Sequence, residues 1–156
     1  TMAHRWGFSL QDNAYKSSKE LIQYLVKAAG YNSNFLLNVG PMPNGKIQPE
    51  FVKTLKVIGD WTDTYGETIY GTRGGPISPQ SWGVSTQKDD KIYVHIMDWK
   101  TDSFFFPTIQ GELKSVFDFQ TKKKLKHETN SYGTLVQLPE GRDYGQADFV
   151  LEVTIK

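Results

Sequence analysis

Residues 34–40 have the sequence Asn-Phe-Leu-Leu-Asn-Val-Gly, in which the apolar run from Phe35 to Leu37 is nearly continuous. A strand with one face in water alternates apolar and polar side chains, whereas a strand covered on both faces need not. The run therefore predicts a strand at residues 35–39 that is buried on both faces, as in a parallel sheet.

Helical patterns flank this predicted strand. Ser17 and Glu20 have the spacing of a capping box, and the apolar residues that follow share one helical face as far as Gly30, which is predicted to end the helix. After a loop, Pro49 suits the first turn of a second helix. A helix, a buried strand, a loop and a helix form one repeat of a barrel that closes only with eight strands. We therefore expect residues 1–72 to contain about one unit of a (β/α)8-type barrel and to lack most of its architecture.

The character of the chain changes after Gly66. A stretch rich in glycine and proline resembles a linker, and short segments with alternating apolar residues follow it, separated by turn residues. The predicted strands are residues 82–86, 91–98, 103–109, 116–121, 124–129, 134–138 and 149–155. Short strands with frequent turns predict an all-β antiparallel sandwich over residues 73–156.

The composition excludes some classes of function. Lys and Arg number 18 against 17 Asp and Glu, a net charge of +1, so no basic surface for nucleic acid is expected. The densest basic run, residues 122–126, is predicted to be a solvated hairpin. No segment approaches the ~20 consecutive apolar residues of a membrane span. The absence of cysteine excludes disulfides and thiolate metal sites.

The polar residues do not form a recognisable catalytic set. Hydrolysis of a glycoside usually needs two carboxyl groups, and in residues 1–72 only Asp12 lies in a loop without an evident structural role. The remaining carboxylates of this part are Glu20, Glu50, Asp60, Asp63 and Glu67. The histidines, His4, His95 and His127, lack metal-ligand spacing. His95 is expected to be a packed or surface residue of a strand. We expect no metal, no cofactor and no complete active site in this chain.

Several motifs occur together in the first part of the chain. They are Trp6-Gly7-Phe8, Tyr15-Lys16-Ser17, residues 34–41, Asn44-Gly45, and the stretch from Trp61 through residues 65–72, Tyr-Gly-Glu-Thr-Ile-Tyr-Gly-Thr. In this combination the sequence resembles the retaining α-L-fucosidases of glycoside hydrolase family 29. The β-rich remainder agrees with that family in length and texture only.

The resemblance implies a catalytic (β/α) barrel whose last strand is residues 35–39, followed by a C-terminal β-sandwich. Such enzymes cleave terminal α-linked L-fucose with retention, using an aspartate nucleophile and a separate carboxylic acid/base. Both are expected upstream of Thr1, so no catalytic residue is assigned and the chain alone is expected to be inactive. The implied partners are a fucosylated glycan and the N-terminal barrel of the same enzyme. A periplasmic, secreted or lysosomal location is expected from the resemblance.

One site residue follows from the resemblance. Trp6 matches the aromatic side chain that, in similar enzymes, helps to enclose the C6 methyl group of fucose. The alternative is that Trp6 only packs at the barrel mouth. His4 and Arg5 lie in the same loop and are weaker candidates, while Asn38 and Gly40 are expected to shape the turn that follows the last strand.

Two alternatives stay open for the β-rich part. It could bind carbohydrate through exposed aromatic rings, or it could be a purely structural module that buttresses the barrel. The candidate rings are Trp82, Trp99, Phe104, Phe105, Phe106 and Tyr132. In an extended strand the three consecutive phenylalanines must place at least one ring on each face.

Overall fold

The computed structural model describes residues 1–156 and consists mostly of antiparallel sheet with few helices. The helices are α1 (Ser18–Gly30) and α2 (Pro49–Tyr65), and a short 3-10 helix (Gly66–Thr68) follows α2. The strands are β1 (Arg73–Gly74), β2 (Gly83–Lys88), β3 (Lys91–Ile96), β4 (Ser103–Pro107), β5 (Leu113–Asp118), β6 (His127–Thr129), β7 (Gly133–Gln137) and β8 (Phe149–Ile155). None of the helices has the length and apolar character that crossing a membrane requires.

Helix α1 begins with the predicted capping box. The Ser17 hydroxyl accepts from the backbone N–H of Glu20 at 3.2 Å, and the Glu20 carboxylate accepts from the backbone N–H of Ser17 at 2.8 Å. Gly30 is the last helical residue, but the left-handed conformation after the helix belongs to Asn32, with φ 55°. Gly30 serves a different purpose, because a Cβ there would lie 2.5 Å from the Cβ of Val84. The glycine lets α1 approach β2 closely.

The sequence predicts a strand at residues 35–39, but within this chain no strand forms between α1 and α2. A strand is held by hydrogen bonds from its neighbours, and along this stretch only the Asn38 carbonyl has a backbone partner, the Met2 N–H at 3.0 Å. Phe35 and Leu37 pack partly against a small cluster that includes Met2. The segment is largely apolar, but it lacks the two flanking strands that would make it part of a sheet.

Several apolar side chains of the helical part are exposed. Leu36 is 73% exposed, Val52 is 52% exposed and Val57 is 42% exposed. Single exposed apolar residues are normal on a protein surface.

The strands form two antiparallel sheets. One has the order β1-β2-β3-β8-β5 and the other the order β4-β7-β6. Both contribute to one apolar core, with Val94 and Leu151 from the larger sheet and Phe104 and Val136 from the smaller one. Each predicted strand has a counterpart: β8 has the predicted bounds, and the other six have shifted ends. Strand β1 is an addition that the sequence did not indicate.

The basic run at residues 122–126 is exposed except for Leu125. It follows a turn at residues 119–121 and pairs back on β5 through the bridge between Lys124 and Phe117, which forms the predicted hairpin. Lys122 begins the run in the left-handed region, with φ 55°. Its ammonium group lies 3.7 Å from the centre of the Phe119 ring and 3.1 Å from a carboxylate oxygen of Glu152. These contacts are at the surface and stabilise the fold only slightly.

A buried polar chain joins the helical part to the larger sheet. His95 is fully buried, with Nδ1 2.7 Å from Oδ2 of Asp148 and Nε2 3.2 Å from the Thr86 hydroxyl oxygen. The Thr86 hydroxyl donates to the carbonyl of Thr68, in the 3-10 helix, at 2.6 Å. Because the hydroxyl proton of Thr86 is donated to Thr68, the Thr86 oxygen acts as the acceptor for Nε2–H of His95. His95 is therefore packed, one of the two expectations for it, and it has a defined hydrogen-bonding role.

We expect His95→Phe to reduce the free energy of unfolding by about 3–5 kcal/mol, because it leaves the buried Asp148 carboxyl without its partner. Urea denaturation of the purified protein measures the change. His127→Phe is the matched control, since His127 is only partly buried and its ring makes a single hydrogen bond, with the Leu125 carbonyl. That variant should change stability by about 0.5 kcal/mol or less. Equal decreases in the free energy of unfolding in the two variants would contradict the stabilising role of the hydrogen bonds made by His95.

Candidate functional site

The candidate site is the loop of residues 3–15, which is closed at its base by backbone contacts. The Met2 N–H donates to the Asn38 carbonyl at 3.0 Å, and the Lys16 N–H donates to the Met2 carbonyl at 2.9 Å. The Lys16 ammonium also donates to the carbonyl of Thr1 at 3.0 Å. Met2 itself is 1% exposed and packs in one cluster with Leu21 and Phe51. The two ends of the loop are therefore fixed on a small apolar core.

The three residues predicted for the site lie next to one another on this loop. His4, Arg5 and Trp6 are all exposed, and the Trp6 side chain is 65% exposed. The indole of Trp6 makes no hydrogen bond within the chain and stacks on no other ring. It is accessible for contact with a ligand or with another part of a protein.

Asp12 holds the loop together from within. One of its carboxylate oxygens accepts from the backbone N–H of Arg5 at 2.6 Å. The Arg5 N–H, with smaller contributions from the backbone N–H groups of His4 and Ala14, lowers the pKa of the Asp12 carboxyl below its ordinary value. Short acidic side chains commonly bind nearby backbone groups in this way. The one carboxylate without an evident role in the sequence is therefore a loop-forming residue.

Asn38 and Gly40 contact the loop at Trp6. The Asn38 amide donates to the Trp6 carbonyl at 2.6 Å and to the Thr1 hydroxyl at 3.2 Å. Gly40 has a left-handed φ of +51°, and a Cβ at this position would lie 2.8 Å from the Trp6 carbonyl oxygen. The sequence indicated that both residues shape a turn, but nothing in it predicted that they contact the backbone carbonyl of Trp6.

The other carboxylates of the helical part have structural partners or exposed positions. Asp60 is paired with Lys56 at 3.2 Å on the surface of α2. Glu67 accepts from the Tyr93 hydroxyl at 2.8 Å, and this hydrogen bond lowers the pKa of the Glu67 carboxyl. No group of three or more histidine and carboxylate side chains is arranged to hold a metal ion.

Most of the aromatic rings proposed for carbohydrate binding are in the core. Trp82, Phe104 and Phe106 are buried there, and Trp99 packs partly against it while donating to the Ser103 carbonyl at 2.7 Å. The accessible rings are Phe105, which is 42% exposed, and Tyr132, which is 80% exposed. The expected distribution of the three phenylalanines over both faces of β4 is confirmed.

Comparison with known proteins relates this chain to the glycoside hydrolases, and in particular to the α-L-fucosidases. Residues 1–67 match the family model described as alpha-L-fucosidase. The human plasma α-L-fucosidase is 27% identical over 149 residues, which cover 86% of this chain and 31% of that protein. The resemblance inferred from the motifs is thus confirmed, and the homologues are glycosidases.

Solved structures agree over nearly the whole chain. The α-L-fucosidase isoenzyme 1 from Paenibacillus thiaminolyticus superposes with a TM-score of 0.90 at 28% identity, covering 99% of this chain and 38% of that one. A family 29 α-L-fucosidase from Bacteroides thetaiotaomicron, trapped as a covalent intermediate with 2-fluoro-fucosyl fluoride, superposes with a TM-score of 0.86. At 23% identity, over 97% of this chain and 36% of that one, it supports the fold alone. The chain spans about a third of the length of these relatives.

We expect the hydrogen bond from Arg5 to Asp12 to weaken in acid. Because the pKa of Asp12 is lowered in the folded protein, its stabilising contribution is fully present above the ordinary value of 3.8 and is lost as the pH falls through the lower folded value. The hydrogen-exchange protection of the Arg5 amide, measured by NMR as a function of pH, should follow this loss. In Asp12→Ala the protection should be low at every pH, and wild-type protection in that variant would contradict the assignment.

Proposed function

We propose that this chain is the C-terminal part of an exo-acting α-L-fucosidase, which hydrolyses terminal α-linked L-fucose of glycans with retention of configuration. In this proposal residues 1–72 are the end of the catalytic (β/α) barrel and residues 73–156 are a C-terminal β-sandwich domain. The observation that carries the proposal is the match of residues 1–67 to the α-L-fucosidase family model.

The exposed apolar side chains of the helical part are compatible with the assignment to a barrel. Leu36, Val52 and Val57 are the kind of side chains that the neighbouring strands and helices of a closed barrel would bury. Residues 35–39 have no paired strand on either side, and parallel neighbours on both sides would make them the last barrel strand. The partner proposed for the helical part is therefore the N-terminal portion of the same enzyme.

Retention requires a covalent glycosyl-enzyme intermediate formed by one carboxylate and resolved with the help of a second. The trapped intermediate of the Bacteroides enzyme agrees with that mechanism for a structural relative. Within this chain Asp12 and Glu20 are engaged with backbone N–H groups, and Glu67 is engaged with a tyrosine hydroxyl. We therefore propose that the nucleophile and the acid/base both lie upstream of Thr1.

Trp6 is proposed to form part of the wall around the C6 methyl group of fucose, with His4 and Arg5 as weaker candidates at the same mouth. Fucose is a 6-deoxy sugar, so its methyl group can be recognised only by apolar contact. Burial of one such group contributes about 0.8 kcal/mol. The exposed indole of Trp6 is available for this contact.

For residues 73–156 the structural role is favoured over carbohydrate binding. The rings that would grip a sugar are mostly in the core between the sheets. The larger sheet is joined to the helical part through the buried chain from Asp148 to Thr68. A domain with such contacts is well suited to hold the end of the barrel in place.

We expect the intact enzyme that contains this chain to release fucose from an aryl α-L-fucoside, with the α-anomer as the first product observed by NMR. The purified chain of residues 1–156 should release none, because it lacks the carboxylate pair. Absence of release by the intact enzyme would contradict the proposed function. Release by the isolated chain would contradict the placement of the catalytic carboxylates.

We expect Trp6→Ala in the intact enzyme to lower the preference for an aryl α-L-fucoside over the corresponding α-L-galactoside, which differs by a hydroxyl group on C6. The ratio of the two kcat/KM values should fall about fourfold, the equivalent of one buried methyl group. Tyr132→Ala, which removes another exposed ring far along the chain, is the control and should leave the ratio unchanged. An unchanged ratio in Trp6→Ala would show that Trp6 does not contact the methyl group.

A further inference from the structure

The backbone carbonyl groups of Arg5 and Trp6 both accept hydrogen bonds from residues outside the loop. The Asn38 amide donates to the Trp6 carbonyl at 2.6 Å, and the Thr1 hydroxyl donates to the Arg5 carbonyl at 3.1 Å. The second proton of the Asn38 amide points to the same Thr1 hydroxyl oxygen, at 3.2 Å. Both donors of one amide group are therefore used to fix two consecutive carbonyls of the loop, directly or through Thr1.

Asn38 is itself fixed to the apolar core. Its backbone carbonyl accepts from the N–H of Met2 at 3.0 Å, and Met2 is 1% exposed and packs with Leu21 and Phe51. Asn38 thus connects the buried cluster, through its backbone, to the exposed loop, through its side-chain amide. A side chain that bridges a rigid cluster and a surface loop is suited to positioning.

Gly40 acts on the same peptide group by steric exclusion. A Cβ at this position would lie 2.8 Å from the Trp6 carbonyl oxygen and 3.2 Å from the carbonyl carbon of Gly7. Its φ of +51° also disfavours any side chain. One short segment therefore holds the backbone after Trp6 with a hydrogen bond and keeps the space beside it open.

We propose that Asn38 and Gly40 are positioning residues that set the preference for a 6-deoxy sugar by fixing the backbone of Trp6. The inference rests on the proposed function, because it assumes that Trp6 contacts the sugar methyl group. The indole of Trp6 has no hydrogen bond or stacked ring of its own, so within this chain the backbone is what sets the origin and direction of the side chain. A displacement of the Trp6 carbonyl moves the indole away from the sugar methyl group, although the indole is still present.

The test is the ratio of kcat/KM for the aryl α-L-fucoside to that for the aryl α-L-galactoside in the intact enzyme. Asn38→Asp keeps the size of the side chain but removes both donated hydrogen bonds, and it should lower the ratio by the same factor as Trp6→Ala, about fourfold. Gly40→Ala should also lower it. The double variant Asn38→Asp with Trp6→Ala should show no further fall, because both changes act through one contact.

The matched control is Asn44→Ala. Asn44 lies in the turn that follows, and its side-chain oxygen accepts from the backbone N–H of Lys46 at 3.0 Å, a local contact of the turn. This variant should leave the ratio at its wild-type value. A purely structural role of Asn38 would lower kcat/KM for both substrates equally, and an unchanged ratio in Asn38→Asp would overturn the proposal.

A second measurement separates this inference from the proposed function. In protein labelled with 5-fluorotryptophan, the ¹⁹F resonance of Trp6, assigned with Trp6→Phe, should shift in Asn38→Asp and stay in place in Asn44→Ala. An unchanged resonance in Asn38→Asp overturns the positioning role whatever the enzyme cleaves. An intact wild-type enzyme that cleaves no fucoside overturns the proposed function and the sugar preference with it, while the ¹⁹F result still reports on the loop.

Discussion

The close packing of helix α1 on strand β2 holds the helical part and the sheets together. Val26 of the helix and Val84 of the strand are both almost fully buried in one cluster. Only a glycine at position 30 permits this distance, because the nearest atom to an added Cβ would be 2.5 Å away. The hydrogen bond from Gln23 to the Ala147 carbonyl, at 2.9 Å, extends the contact to the segment before the last strand.

The series of buried hydrogen bonds through His95 is a second connection between the helical part and the larger sheet. It connects the end of the 3-10 helix to Asp148 through Thr86, with every nitrogen of the His95 ring engaged. Buried polar groups destabilise a fold unless their hydrogen bonds are made. The geometry of this chain therefore resists sliding of the helical part over the sheet, which apolar packing alone would resist less.

The candidate site depends on the interface through a short series of contacts. Met2 packs against Leu21 of helix α1, Asn38 binds the backbone of Met2, and the Asn38 amide holds Trp6. An exposed ring on a loop has little intrinsic order, and its precision depends on the elements that support it. The loop is thus held in place by its contacts with the cluster on α1, and α1 is held by its packing on β2.

The sequence alone determined the elements that depend on local interactions. The capping box at Ser17 and the proline that begins α2 involve neighbours within a few residues, and both predictions are confirmed. The strands of the β-rich part were predicted from the local alternation of their side chains, although distant strands supply their hydrogen bonds. The motifs also led to the α-L-fucosidase relationship. Trp6 was identified by resemblance, and its role in a sugar site stays a prediction.

Only the tertiary structure decided the features that depend on distant parts of the chain. The apolar run at residues 35–39 predicted a strand, but a strand exists only where neighbours supply its hydrogen bonds, and here they are lacking. His95 meets Asp148 across 53 residues, and Asn38 meets Trp6 across 32. No local pattern encodes such pairs, because the partner is chosen by the packing of whole elements and not by spacing along the chain.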